Sequence, residues 1–211
     1  MARPSRQIDQ ALLASGAALY PQCGCGGLSV RAVAAHAGAS PGMFHYHFES
    51  KDAFVREVLQ RFYEDLFSQI ALPARQAGEP LQRLRQVLLA LGRLLRQHAL
   101  VLRRVLADAE AGHAVAVDFL RRNMPRHVKL LLQLLAEAEA AGQIAPRPPL
   151  LRLTFVLGAV AMPVLAASML KEQGLLPALA RPMVVPQVLS DEAIAQRAEM
   201  ALKALTVGEL T

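Results

Sequence analysis

Only two cysteines occur in the 211 residues, as Cys23-Gly24-Cys25, so no disulfide framework holds this chain together. Isoleucine occurs four times and phenylalanine seven, and no stretch alternates apolar and polar residues as a half-buried strand would. Charged residues make up 19% against 54% hydrophobic, which excludes a disordered chain. Catalytic signatures are missing as well: there is no Gly-x-Ser-x-Gly elbow, no Gly-x4-Gly-Lys phosphate cradle, no His-Glu-x-x-His and no dinucleotide fingerprint. His98, His113 and His127 are scattered beside apolar neighbours and do not assemble a general base. These absences predict a protein that is not an enzyme and needs no cofactor.

What is abundant is helix former, with 37 alanines and 36 leucines. The composition predicts an all-α fold, and the length suits one large domain or two small ones. The net charge of +6 invites a nucleic-acid reading, but its distribution matters more than its sum. Residues 1–60 carry a net +1, whereas residues 81–129 carry a net +7. The N-terminus has charges with no following apolar run and does not read as a signal peptide. Leu153 to Leu170 is eighteen residues without a charge, the length of a spanning helix, although Pro163, Thr154 and Ser168 interrupt it. A buried core or interface helix gives the same pattern.

Proline and glycine divide the chain into segments of helical period. The first helix is predicted over about 5–20, stopped by the glycines at 24, 26 and 27. Ser29 caps a short second helix that ends at Gly38, and Ser40 caps a third with Pro41 at its first position. A fourth runs from Ser50 to Pro73, and further helices are predicted at 80–97, 99–111, 113–123, 125–141, 149–171 and 190–206, with 172–189 as a long connection. The segment Leu28 to Phe48 is then helix, glycine turn, helix, the arrangement in which the second helix enters the DNA major groove. Turning Phe44 and Phe48 inward leaves Gly42, Met43, His45 and Tyr46 on the outer arc, with Pro41 and His47 at its flanks. His45 and His47 point about 200° apart on a helix and cannot share one metal ion. Cys23 and Cys25 lack the further ligand spacing of a metal site, and a redox or metal role for them stays open.

The stretch Leu28-Ser-Val-Arg-Ala-Val-Ala-Ala-His-Ala-Gly-Ala-Ser-Pro-Gly-Met-Phe-His-Tyr-His-Phe-Glu-Ser-Lys51 resembles the DNA-binding signature of the TetR (tetracycline-repressor-like) family of bacterial regulators. The resemblance covers about the first quarter of the chain. It implies a three-helix DNA-binding domain over 1–50, a connecting helix over 51–72 and a helical ligand-binding and dimerisation domain over 73–211. It further implies a cytoplasmic homodimer that binds a palindromic operator, usually represses, and releases DNA when a small molecule binds. Carried over by position, Ser29 and Arg31 meet the DNA backbone, Ser40, Pro41, Gly42 and Met43 form the first turn of the recognition helix, and Lys51 reaches phosphate. Tyr46 matches an aromatic position, while His45 stands where the family has tyrosine. Pro41 replaces a polar residue, so base hydrogen bonding is sparse and apolar contacts to thymine methyls contribute. The cations near the reading helices are few, namely Arg3, Arg6, Arg31, Lys51 and Arg56.

For the rest of the chain, helices 149–171 and 190–206 are expected to pair with those of a second copy as a four-helix bundle. An effector site among the middle helices is expected to draw on Phe62, Phe67, Leu88, Leu91, Leu95, Met124, Phe155 and Met162. The arginines of the +7 segment, Arg96, Arg103 and Arg104 first, suit an anionic group such as a carboxylate or acyl thioester. The alternative is a membrane-associated helical adaptor in which 153–170 spans a bilayer.

Overall fold

The computed structural model describes residues 4–206, with side chains from Gln7 onward. The described residues form α1 (Pro4–Gly27), α2 (Val30–His36), α3 (Pro41–His47), α4 (Lys51–Ala74), α5 (Pro80–Gln97), α6 (Ala99–Glu110), α7 (Ala114–Ala140), α8 (Pro149–Glu172), α9 (Arg181–Val184) and α10 (Asp191–Leu205), with a π-helical turn at Val185–Leu189 and no strand.

Three elements differ from the sequence expectation. α1 runs past residue 20 and breaks at Gly24 (φ +64°, ψ −172°), the first of the glycines expected to stop it, before a last short turn to Gly27. The two helices expected at 113–123 and 125–141 are one, α7, which carries Pro125 internally. Proline removes the ladder bond from its own nitrogen and crowds the carbonyl four residues before it, and α7 nevertheless continues through it; Asn123 lies in the same stretch with its side-chain amide donating to the Phe119 carbonyl at 3.0 Å. The connection 172–189 is partly helical, because Leu176, Val184 and Leu189 bury their side chains and anchor α9 and the π turn.

The chain divides into two compact units, and the division does not fall at residue 50 or 72. The first unit combines residues 1–65 with 100–124, so α6 and the start of α7 belong with the N-terminal helices. Its core is aromatic where α3 meets α4: Phe44, Phe48 and Phe54 lie 4.8 to 5.4 Å apart between ring centroids, and all three are buried. Rings in this tilted and edge-on range attract beyond their area. A second tie runs from α4 to α7, where Gln60 and the buried Asn123 exchange amide hydrogen bonds of 3.1 and 3.3 Å and Tyr63 donates to the Asn123 carbonyl at 2.8 Å.

The second unit, residues 66–99 and 125–211, is built on the mutual packing of α5, α8 and α10. Leu84, Val87 and Leu88 of α5, Val160 and Val164 of α8, and Ile194 and Ala198 of α10 are fully enclosed. α5 and α10 approach closely at Gly92, where an added Cβ would lie 2.5 Å from Ile194 Cγ2. α8 has the length and mean hydropathy, 2.1, of a spanning helix, yet its inner residues are core and it buries Arg152, which is paired with Glu139 at 2.7 Å. The face α8 turns outward is itself apolar: Leu151, Phe155, Met162 and Met169 are exposed, with the open Gly158 among them.

Candidate nucleic-acid interface

The site begins with Ser29. Its extended backbone (φ −109°, ψ 144°) lets the side-chain oxygen accept the Ala32 amide at 3.1 Å, which starts α2. α2 stops at a turn in which Gly38 adopts φ +66°, a conformation that glycine reaches without Cβ strain. Ser40 holds the cap position of α3 with extended backbone, but its side chain makes no capping hydrogen bond, contrary to expectation; Pro41 follows in the first turn, where its missing N–H costs nothing. The turn is short and α2, α3 and α1 all pack together, so the position of α3 follows from buried Val33, Ala34 and Phe44.

That packing leaves Pro41, Gly42, His45 and Tyr46 exposed on α3, Tyr46 at 75%, with Met43 partly buried between them. No cation stands among them. His47 lies edge-on to Tyr46 at 5.1 Å between centroids, and its Nε2 is buried with no hydrogen-bond partner, so this histidine supports the end of α3 and stabilises the pose of Tyr46. Ser29, Arg31, Ser40 and Arg56 are exposed around the helix pair. Lys51 is partly buried and its ammonium donates to the Cys25 carbonyl at 3.0 Å, with the Gly26 carbonyl at 3.5 Å. Arg3 and the Arg6 side chain lie outside the described residues.

The structure brings the DNA-facing candidates together but scatters the effector candidates. Phe62, Arg103 and Met124 fall in the first unit, and Phe67, Leu88, Leu91, Leu95, Arg96, Phe155 and Met162 in the second. Leu88 is enclosed in the core, with Leu91 and Leu95 packed against it, and Phe67 lies under the Arg126 guanidinium at 4.3 Å. Phe155 and Met162 are 45% and 60% exposed on the outer face of α8, because the inner face is filled by Val156, Val160 and Val164. Met124 is 46% exposed. Arg96 uses its guanidinium on the Leu189 carbonyl and on Asp191 at 2.7 Å, which fixes the start of α10. Arg104 is likewise engaged, donating to the Cys23 carbonyl at 2.9 Å. Arg103 keeps a buried Nε with no hydrogen-bond partner. One groove of about 560 Å³ runs along α7 past Val128, Leu132 and Ala136 to Pro149.

Sequence reasoning passed over Asp108, counting it only as one acid among arginines. It is 3% exposed and accepts hydrogen bonds from the Tyr20 hydroxyl and the Cys25 amide, each 2.7 Å long. Burial pushes its carboxyl pKa up, but the bonds from Cys25 and Tyr20 together with the Arg104 charge outweigh it and hold the group below its ordinary value. The same burial raises the Cys25 thiol to about 11, which keeps it protonated and unreactive at neutral pH. No grouping of three His, Cys, Asp or Glu side chains among the described residues is arranged to hold a metal ion.

Residues 12–58 match the family model for bacterial regulatory proteins of the tetR family. The HTH-type transcriptional repressor DhaR of Mycobacterium sp. (strain GP1) is 36% identical over 73 residues, 35% of this chain and 37% of DhaR. The HTH-type transcriptional repressor KstR2 of Mycolicibacterium smegmatis is 28% identical over 148 residues, 68% of this chain and 70% of KstR2. The matched segment thus spans little more than a third of the first relative. Among solved structures, the transcriptional regulator FadR from Bacillus subtilis, in complex with stearoyl-CoA, superposes with a TM-score of 0.69 at 13% identity, covering 95% of this chain and 98% of FadR. That likeness is one of fold.

Proposed function

We propose that this chain is a regulator of the tetR type, whose family model matches residues 12–58, and not an enzyme: a cytoplasmic, ligand-responsive repressor acting as a homodimer on a palindromic operator. The observation that carries this reading is the exposed outer arc of α3: Pro41, Gly42, His45 and Tyr46 face outward while Phe44 and Phe48 lock the helix from within. A seven-residue helix presented this way reads base edges with its first turn, while Ser29, Arg31 and Lys51 supply backbone contacts.

The outward apolar face of α8, with Met200 of α10 at 71% exposure, supports a two-fold bundle of α8 and α10 with the same helices of a second copy. In that arrangement Phe155 and Met162 are dimer residues. A two-fold protein sets its reading helices about one DNA turn, roughly 34 Å, apart. The family assignment does not favour the membrane-adaptor alternative, and a dimer contact accounts for the apolar outer face of α8 without a bilayer. The effector is proposed to be partly apolar and anionic, a carboxylate or acyl thioester, with the unsatisfied Nε of Arg103 as one recognising group.

The test uses a duplex of about 30 base pairs selected from a random-sequence pool by the purified full-length chain. Tyr46→Ala and Lys51→Ala are each expected to weaken binding by about 5- to 150-fold, the cost of roughly 1–3 kcal/mol. Helicity and sedimentation are expected to stay unchanged. Full affinity in both variants, or no sequence enriched by the wild-type chain, would overturn the reading.

A further inference from the structure

Four groups from three helices meet around one buried peptide. The C-terminal end of α1 departs from helical geometry at Gly24, so the Cys25 amide points away from the α1 ladder and donates to Asp108 Oδ2 of α6 at 2.7 Å. The other face of the same residue, its carbonyl, accepts the Lys51 ammonium of α4 at 3.0 Å. Tyr20, 1% exposed, adds a second bond to Asp108 Oδ2 at 2.7 Å, and Arg104 stands 3.3 Å from Oδ1. Arg104 also lies against Gly24 so closely that an added Cβ would fall 2.0 Å from its Nε. Positive φ and this close approach together require glycine there.

A buried carboxylate is costly to keep, and an apolar residue of its size would often be neutral or better for stability alone. What it does in return is geometric: it holds the Cys25 amide and the Tyr20 hydroxyl at one oxygen. From this geometry we infer that Asp108 is a positioning residue for DNA binding: by fixing the Cys25 peptide it fixes the carbonyl that seats Lys51, so α6 sets the pose of a phosphate-contacting ammonium it never touches. The inference rests on the DNA-binding reading above and adds a residue to it. The relay runs through one peptide, held by Asp108 at its amide (2.7 Å) and by Lys51 at its carbonyl (3.0 Å).

The experiment measures binding of the full-length chain to the selected duplex by fluorescence anisotropy across a series of salt concentrations, for Asp108→Ala, Asp108→Asn, Lys51→Ala and Asp108→Ala with Lys51→Ala. Losing one phosphate contact per protomer, two per dimer, lowers the salt slope by about 1.8 and weakens binding about 50-fold at 0.1 M salt. Asp108→Ala is expected to reproduce most of that slope change, and the double variant to be little weaker than Lys51→Ala alone. Asp108→Asn keeps one carbonyl acceptor and should fall between Asp108→Ala and wild type. It also serves as the probe if Asp108→Ala does not fold. A merely structural role would lower the melting temperature and leave the slope of the folded protein at wild type, which overturns the inference. Additive losses in the double variant, or a wild-type slope for Lys51→Ala, overturn it too. If the wild-type chain selects no duplex, it is the DNA-binding reading that fails.

Discussion

Replacing Gly92 by alanine sets two effects of known size against each other. Glycine inside a helix costs about 1 kcal/mol relative to alanine, so the substitution gains that much from backbone entropy. The new Cβ, however, would lie 2.5 Å from Ile194 Cγ2 and 3.5 Å from Val160 Cγ1, and all three positions are buried. Carbon atoms in contact prefer about 3.5–4.0 Å, so α5 and α10 must separate by roughly 1 Å at this point. Ile194 cannot swing aside, since a β-branched side chain on a helix has one favoured rotamer. Overpacking of this kind costs about 1–3 kcal/mol, and the net expectation is a loss of about 1 kcal/mol. Urea unfolding followed by far-ultraviolet circular dichroism would show a lower midpoint with an unchanged slope. Ile194→Leu moves the branch from Cβ to Cγ and is expected to cost under about 1.5 kcal/mol by itself. Combined with Gly92→Ala it should recover about 1 kcal/mol relative to the sum of the two single changes. A Gly92→Ala chain more stable than wild type, or strict additivity in the pair, would refute the contact.

Three further outcomes are expected. Met162→Glu places a charge on the outward face of α8 and, by two-fold symmetry, buries it twice in the proposed dimer; sedimentation should find a folded monomer at micromolar concentration, and a persisting dimer would relocate the interface. Asp108 titrates below its ordinary 3.8 when folded, so its contribution to stability is complete above about pH 4 and lost as pH falls through the folded value. The stability gap between wild type and Asp108→Asn should therefore shrink from pH 5 to pH 3, and a gap independent of pH would contradict the assignment. Glu139→Ala strands the buried Arg152, which has Nε and one further nitrogen already unpartnered, and should cost about 2–3 kcal/mol; Arg152→Met should cost less, and the reverse order in a denaturant melt would count against the pair.

The helix pair proposed to read DNA was legible almost to the residue, because its signals are local. Ser29 caps through its own side chain, Gly38 has the positive φ that a turn of this kind needs, and Phe44 and Phe48 share a face by period alone. Local signals also explain the misses. Pro125 reads as a boundary from sequence, but α7 continues through it, and Leu131, Leu134 and Leu135 hold the rest of the helix to the core of its unit. The expected cut near residue 50 followed chain order, whereas Tyr20 and Asp108, 88 residues apart, are joined by a hydrogen bond that no pattern in the sequence announces. Phe155 and Met162 read as lining because apolar residues on a nearly uniformly apolar helix carry no mark of which face is inward. The +7 of residues 81–129 is largely spoken for by structure: Arg83, Arg85, Arg93, Arg96 and Arg104 each pair with an acid.

The discontinuity of the first compact unit bears on how this protein can be taken apart and recombined. A fragment ending after α4 would contain the whole family signature, yet it would leave the Tyr20 hydroxyl and the Cys25 amide facing the space that Asp108 fills. Transferring the first unit to another chain would therefore require transplanting two stretches, 1–65 and 100–124, rather than one. Such a unit does not travel as a single exon-like block. A chimera joined at the end of α4 would then carry a foreign α6 against this chain's α1, with Tyr20 and the Cys25 amide facing a side chain other than Asp108.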